Sequence, residues 1–220
     1  MRKELKRRIL TSIFLFLLLI SMYIFTFIMI VALIIIAMIT WIEFYHLISK
    51  IIKTNSIKAK FFRFLCKSIS LIYLSLLVYF IFSIESDYHD YKIYLFYSIF
   101  AAILSDIGGL VIGKIFKGKK LTKISPNKTI SGSVGSFIFS LFLIPIFYVS
   151  LNESSVLILI LITLIISLTS QLGDLFISYL KRKAEVKDTS DILPGHGGFL
   201  DRIDGIIFAI PVGFLLFNFL

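Results

Sequence analysis

The chain has one cysteine, four prolines and one tryptophan in 220 residues, and only 16% of its residues are charged. A lone Cys66 excludes an internal disulfide and any multi-cysteine zinc site, and leaves packing as its role. Aspartate and glutamate together number 13 against 23 lysines and arginines, a net charge of +10. Such a balance could point to nucleic acid, but the positive charges sit in short segments between apolar runs, which is a topological pattern and excludes a nucleic-acid partner. What is abundant settles the class. With 58% hydrophobic residues and a mean hydropathy of +0.98, the chain is excluded from the ordinary soluble domains and reads as an integral membrane protein in the lipid bilayer.

The apolar run over residues 9–48 follows a basic start, MRKELKRR. It is far longer than the roughly 7–15 residues of a signal-peptide core and has no small-residue cleavage site. It is also longer than the about 20 residues of one span, so two passes are expected, with a turn near residues 21–26 although no glycine or proline marks it. Further spans are expected over 69–84, 91–112, 130–149, 156–180 and 203–220, with Pro145 kinking the fifth. Lysines and arginines fall at 2–8, 50–67, 114–128 and 181–202, leaving only Lys92 outside these groups. About seven spans with a cytoplasmic N-terminus put all four groups inside, as the positive-inside rule requires. The expected fold is an all-α polytopic bundle, one membrane domain over 1–220. Residues 1–100 supply generic spans and 101–220 carry the polar motifs.

The stretch over residues 171–204, QLGDLFISYLKRKAEVKDTSDILPGHGGFLDRID, differs from the rest. Gln171, Asp174, Ser178 and Lys181 recur at helical spacing and share a face. Asp174 lies about 10 Å below the basic rim Lys181-Arg182-Lys183, where an acid in lipid requires a cation, a proton or a water-filled cavity. Asp174 and Asp201 are hard oxygen ligands suited to Mg²⁺, which usually takes one or two carboxylates together with substrate phosphates. Lys181, Arg182 and Arg202 can neutralise phosphate, and Gly195, Gly197 and Gly198 let backbone N–H groups approach an anion. His196 reads as shaping that glycine turn by a hydrogen bond, with a general base as the rival role.

Two more elements belong to the same face of the membrane. Ser125 can cap a helix that starts at Pro126, aiming its positive end and Lys128 at a phosphate. Asp106 stands near the inner end of the fourth span. The following Gly108 to Lys114 matches most of a P-loop, but Ile115 replaces the Ser or Thr that holds Mg²⁺ and the context is membrane helix. Gly109 and Gly113 read instead as helix-packing positions.

The segments S-x-L-K-R-x(4)-K-D and P-G-H-G-G-F-x-D-R-x-D, from Ser178 to Asp204, resemble the signature of the phosphatidate cytidylyltransferase (CDP-diacylglycerol synthase) family. Gln171 to Asp174, Ser125-Pro126-Asn127-Lys128-Thr129 and the Trp41–Phe44 cluster with Glu43 also resemble family motifs. Asp106 is similar to the aspartate of another, from which Ile107, Gly109 and Leu110 depart. The chain is shorter than typical members, and one N-terminal helix fewer is expected. The resemblance implies a cytidylyltransferase that joins CTP and phosphatidate into CDP-diacylglycerol and pyrophosphate. Its active site would face the cytoplasm from the cytoplasmic (inner) membrane. Asp174 and Asp201 would hold Mg²⁺, as one ion or two. Lys128, Lys181, Ser178 and Arg202 would hold phosphates, with Arg182, His196, Gly197, Gly198, Ser125 and Asp106 lining the substrates. A homodimer is compatible with this. The rival readings are a CTP-dependent transferase acting on another lipid phosphate or polyprenol, and a small cation-coupled transporter using Asp106 and Asp174.

Overall fold

The computed structural model describes residues 2–87, 92–122, 124–149, 151 and 155–219. Nine helices follow in chain order among them: α1 (Arg2–Ile24), α2 (Thr26–Ile51), α3 (Ile57–Asp87), α4 (Lys92–Phe116), α5 (Ile130–Leu141), α6 (Ile144–Phe147), α7 (Val156–Lys183), α8 (Leu200–Ile203) and α9 (Ile206–Phe219). Extended pairing among the described residues is confined to two isolated bridges, Lys120 with Thr129 and Leu193 with Gly197. The all-α expectation holds.

Among the described residues five helices (α1, α2, α3, α4 and α7), and α5 with α6 taken together over Ile130–Phe147, are long and apolar enough to cross a bilayer, and large apolar side chains such as Phe14, Phe27, Phe64 and Leu157 stand exposed on them. This is how a chain solvated by lipid presents itself. The expected break in the first apolar run falls at Phe25, an extended residue (φ −117°, ψ 106°) between α1 and α2. It sits among aromatic and β-branched residues, which lose side-chain freedom in a helix. The expected seventh span differs. Asp204 and Gly205 form a turn, the Gly205 N–H donating to Asp204 Oδ1 at 2.9 Å, and leave α9 with 14 residues. That is about 21 Å of helix against a hydrocarbon core of about 30 Å.

The chain forms two compact units, Met1–Ser86 with Leu180–Arg202, and Asp87–Tyr179 with Ile203–Leu220. In the first unit, Trp41 Nε1 donates to the Lys67 carbonyl at 3.2 Å and the Lys67 ammonium sits 3.1 Å from the centroid of the Tyr45 ring. These contacts, one of them cation–π, tie α2 to α3. Arg63 donates to the carbonyls of Ile52 and Thr54, satisfying acceptors that the end of α2 leaves open.

The second unit is built around a core that includes Tyr97, Ala101, Leu159, Ile162, Ala209 and Phe217. Glycines let α4 and α5 meet backbone to backbone: a Cβ on Gly132 would lie 2.8 Å from the Gly109 carbonyl, and one on Gly135 would lie 2.7 Å from that of Gly108. Hydrogen bonds stitch the helices between apolar layers, Tyr97 to Thr163 at 2.5 Å and Ser105 to Ser167 at 2.9 Å. The kink expected at Pro145 falls one turn earlier. Pro145 has no N–H to give and its ring crowds the preceding turn. Phe142 and Leu143 therefore switch to the tighter i−3 pattern, donating to Phe139 and Ser140 at 3.2 Å each.

Candidate active site

The sequence-predicted residues fall into two clusters, one in each unit. In the first unit α7 stops without glycine. Glu185 adopts a left-handed conformation (φ 57°), and the Val186 N–H reaches back to the Lys181 carbonyl at 3.0 Å. The chain then runs to a tight turn in which Leu193 donates to the Gly197 carbonyl at 2.9 Å, while His196 and Gly197 donate to the Leu193 carbonyl at 2.9 and 3.2 Å. Gly195 and Gly197 have φ near +80°, a region that favours glycine. Arg202 closes the turn by gripping the His196 carbonyl with its guanidinium, Nε at 3.1 Å.

Asp201 is the hub of this cluster. Its Oδ1 accepts from Lys181 Nζ at 2.6 Å, and its Oδ2 accepts from the N–H groups of Thr189 and Gly198 at 2.9 and 3.1 Å. The side chains are 13% and 4% exposed for Lys181 and Asp201, so this pair is shielded from water. The N–H groups of Gly197 and Gly198, expected to face a bound anion, serve the loop and Asp201 instead.

Behind the hub lies Glu43 of α2, 1% exposed. Its Oε1 accepts from Ser190 Oγ at 2.5 Å and Phe199 N at 2.9 Å, and its Oε2 from Leu200 N at 2.7 Å and Thr189 Oγ1 at 2.8 Å. None of these four donors is charged, so a buried carboxylate is held by dipoles alone, an arrangement that fixes the loop at both ends. Thr189 and Ser190 carry no family motif and went unnoticed in the sequence. Glu43 had a readable signal, since an acid inside an apolar span demands a partner.

In the second unit Lys128 makes an ion pair with Asp174 Oδ2, and Ser178 Oγ donates to Asp174 Oδ1 at 3.2 Å. Both members of the pair are 24% exposed, more open than Lys181 and Asp201. Gln171, one turn before Asp174 on α7, accepts the Ser133 hydroxyl at 2.5 Å. Ser125 corrects an expectation. Helix α5 begins at Ile130 and its cap is Thr129, whose side chain accepts from Gly132 N at 3.0 Å. Residues 125–128 form a turn instead, because Leu121 N pairs with the Lys128 carbonyl and Ile130 N with that of Lys119, at 2.8 and 3.0 Å. Asp106 is half-buried on α4, and Arg182 is exposed in the last turn of α7.

The His196 ring sits between the turn and α1. Its Nε2 lies 3.3 Å from Ser12 Oγ on α1, and its Nδ1 is buried with no hydrogen-bond partner among the described residues. Burial first, then the positive charges of Arg202 and Arg8, hold its pKa below the ordinary imidazole value.

Among the described residues no three His, Cys, Asp or Glu side chains converge as a ready-made metal cage. A magnesium ion sharing its sphere with substrate phosphates and water needs only a carboxylate or two. Asp174 fits that demand, being partly open and able to exchange the Lys128 ammonium for a cation. Asp201 already receives two N–H groups and an ammonium, with the Thr189 hydroxyl also in reach of Oδ2, which leaves it less room for a cation than Asp174 has.

The sequence pattern of the cytidylyltransferase family matches residues 1–220. A phosphatidate cytidylyltransferase of Bacillus subtilis (strain 168) is 43% identical over 125 residues, covering 56% of this chain and 46% of that protein. One of Staphylococcus haemolyticus (strain JCSC1435) is 43% identical over 122 residues, 54% of this chain and 46% of that one. One of Rickettsia bellii (strain RML369-C) is 40% identical over 144 residues, 62% of each. The chain thus spans about half the length of the first two.

Proposed function

The chain belongs to the cytidylyltransferase family, and from that premise we propose that it transfers the cytidylyl group of CTP to phosphatidate. A phosphate oxygen of phosphatidate forms a bond to the α-phosphorus of CTP, the bond from that phosphorus to the bridging oxygen breaks, and pyrophosphate leaves. CDP-diacylglycerol is the lipid product. The observation that carries this reading is that each candidate carboxylate is paired with a lysine, Asp174 with Lys128 and Asp201 with Lys181. Paired in this way, each ammonium is positioned before any phosphate arrives, and that of Lys181 is also shielded from water, so little reorganisation is needed to stabilise charge.

Lys128 and Lys181, each within its own unit, would bind phosphate oxygens and offset their negative charge. Ser178, beside Lys128 on Asp174, would add a hydrogen bond to phosphate in its unit. Arg182 and Arg202, both exposed, would gather the polyanionic nucleotide. Mg²⁺, as one ion or two, would neutralise and align phosphate oxygens when bound, with Asp174 as its best-placed ligand. No general base is required, because the phosphate monoester of phosphatidate is already anionic at neutral pH.

We further place the protein in the cytoplasmic (inner) membrane with its four basic segments inside. The test is formation of CDP-diacylglycerol from CTP and phosphatidate by the purified chain in detergent, with Mg²⁺ and with chelator, for the wild type, Asp174→Asn and Asp201→Asn. The expected result is Mg²⁺-dependent product and pyrophosphate, lost in both variants. A well-folded wild type that releases pyrophosphate only with another lipid phosphate changes the acceptor, and one that never releases it overturns the reading.

A further inference from the structure

Helix α1 does more than cross the membrane. The Thr11 hydroxyl lies 3.0 Å from the Pro194 carbonyl, and Ser12 Oγ lies 3.3 Å from His196 Nε2. A Cβ on Gly195 would lie 3.0 Å from Arg8 Cγ and 3.4 Å from Arg8 N, so the glycine turn is closed against the helix backbone. Arg8, Thr11 and Ser12 share one face of α1, as spacings of three and four residues dictate. That face is seated on the Pro194–Gly197 turn. Beside it opens a cavity of about 940 Å³, into which α1 brings Arg7 and Arg8, the loop brings Lys187 and His196, and α8 brings Arg202. Two carboxylates, Asp188 and Asp191, also line it, against four cations.

We infer that this cavity is a binding site for a polyphosphate anion, with Arg7 and Arg8 as phosphate-binding residues that lie outside every motif of the sequence. The assignment of that anion to the triphosphate of CTP, or to the pyrophosphate released from it, rests on the function proposed above; its chemical class does not. Three features lead to it. The volume is in the range of small-molecule sites, roughly 300–1,000 Å³, and exceeds what a single phosphate would fill. Guanidinium forks bind phosphate oxygens in pairs, and three arginines from two separate parts of the chain surround the space. Among the described residues its wall is mostly charged and polar, with Leu193 and Pro194 as its apolar side chains, a lining that favours a soluble anion over acyl chains.

The experiment measures thermal unfolding of the full chain in detergent with pyrophosphate, with CTP, with phosphatidate in mixed micelles, and with sulfate at matched ionic strength. It compares the wild type with the double variants Arg7→Gln/Arg8→Gln and Arg7→Lys/Arg8→Lys. Pyrophosphate and CTP are expected to protect the wild type well beyond sulfate. The glutamine variant should bind both about tenfold more weakly or worse, and the lysine variant should fall between, as point charges replace forks. In the activity assay the glutamine variant should raise KM for CTP by about tenfold while leaving KM for phosphatidate unchanged. Equal protection of wild type and glutamine variant by pyrophosphate would overturn the site. So would protection by phosphatidate alone that depends on the two arginines, which would assign the cavity to a lipid headgroup. If the wild type makes no CDP-diacylglycerol but arginine-dependent pyrophosphate protection persists, the site stands and the proposed reaction falls. If the reaction proceeds and the glutamine variant binds CTP normally, the reaction stands and the site falls.

Discussion

Glu43 Oε2 and Asp201 Oδ2 face the same hydroxyl, that of Thr189, at 2.8 and 3.1 Å. A hydroxyl has one proton and can donate to only one of them at a time. The two carboxylates are therefore coupled: whatever takes charge from Asp201, a substrate cation or a released Lys181, changes which of them receives that proton. Asp201 is anchored by Lys181 and two N–H groups regardless, so the hydroxyl is free to serve Glu43 in the resting state.

Replacing the shared donor should expose this coupling. Thr189→Val leaves each carboxylate with three of its donors and should destabilise the protein by about 1–2 kcal/mol, the cost of losing a hydrogen bond to a charged group. Thr189→Ser should restore most of it. Thermal denaturation in detergent, read by circular dichroism, measures both.

Glu43→Gln should be more severe. The amide keeps the size but presents N–H hydrogens to a pocket whose four partners all donate. At least one buried donor is left facing another, a penalty of about 1–3 kcal/mol. The loop it fixes also carries Asp201, so activity should fall by more than tenfold even where the variant is folded. A normal rate in a folded Glu43→Gln protein would mean that the loop holds its geometry without the acid.

The more open pair predicts a different balance. Lys128→Met and Asp174→Asn should each abolish most activity while changing stability little. Their coupling in a double-mutant cycle should be about 1 kcal/mol or less, as for other partly exposed ion pairs. The measurement is a double-mutant cycle on unfolding free energy, run beside the activity assay.

Acidity supplies a further test through His196. Its folded-state pKa is lowered by burial and by the charges of Arg202 and Arg8. The unfolded chain therefore binds the proton more readily, and stability is lost as pH falls from the ordinary imidazole value of 6.5 through the lower folded value. Relative to His196→Gln, the wild type should lose thermal stability as the pH falls through that window. At pH 8 the difference should be independent of pH.

How much of this was legible in the sequence follows from the range of each interaction. Helices and their breaks depend on neighbours in sequence, and the run over 9–48 declared its turn by length alone. The Lys128–Asp174 pair was half legible, since both residues were marked for one site although nothing in the sequence states that they touch. Ser125 misled because its Ser-Pro pattern is a sound cap signal. The true start at Thr129 is set by pairing between residues 119–121 and 128–130, which propensity does not encode. Glu43 and Thr189 lie 146 positions apart, and Arg8 lies still farther from Gly195. Such contacts are written in no local pattern. The arginines at the N-terminus were read for topology, a role that concealed their place in the cavity wall.

The tight turn between α5 and α6 has a biosynthetic consequence. A bend at membrane depth ordinarily leaves carbonyls and amides open to hydrocarbon, where each open group costs several kcal/mol. Here the Phe142 and Leu143 amides find carbonyls three residues back, so the bend carries those donors already closed. Residues 130–147 can thus enter the bilayer as one uninterrupted segment, as their hydropathy of 2.0 describes them.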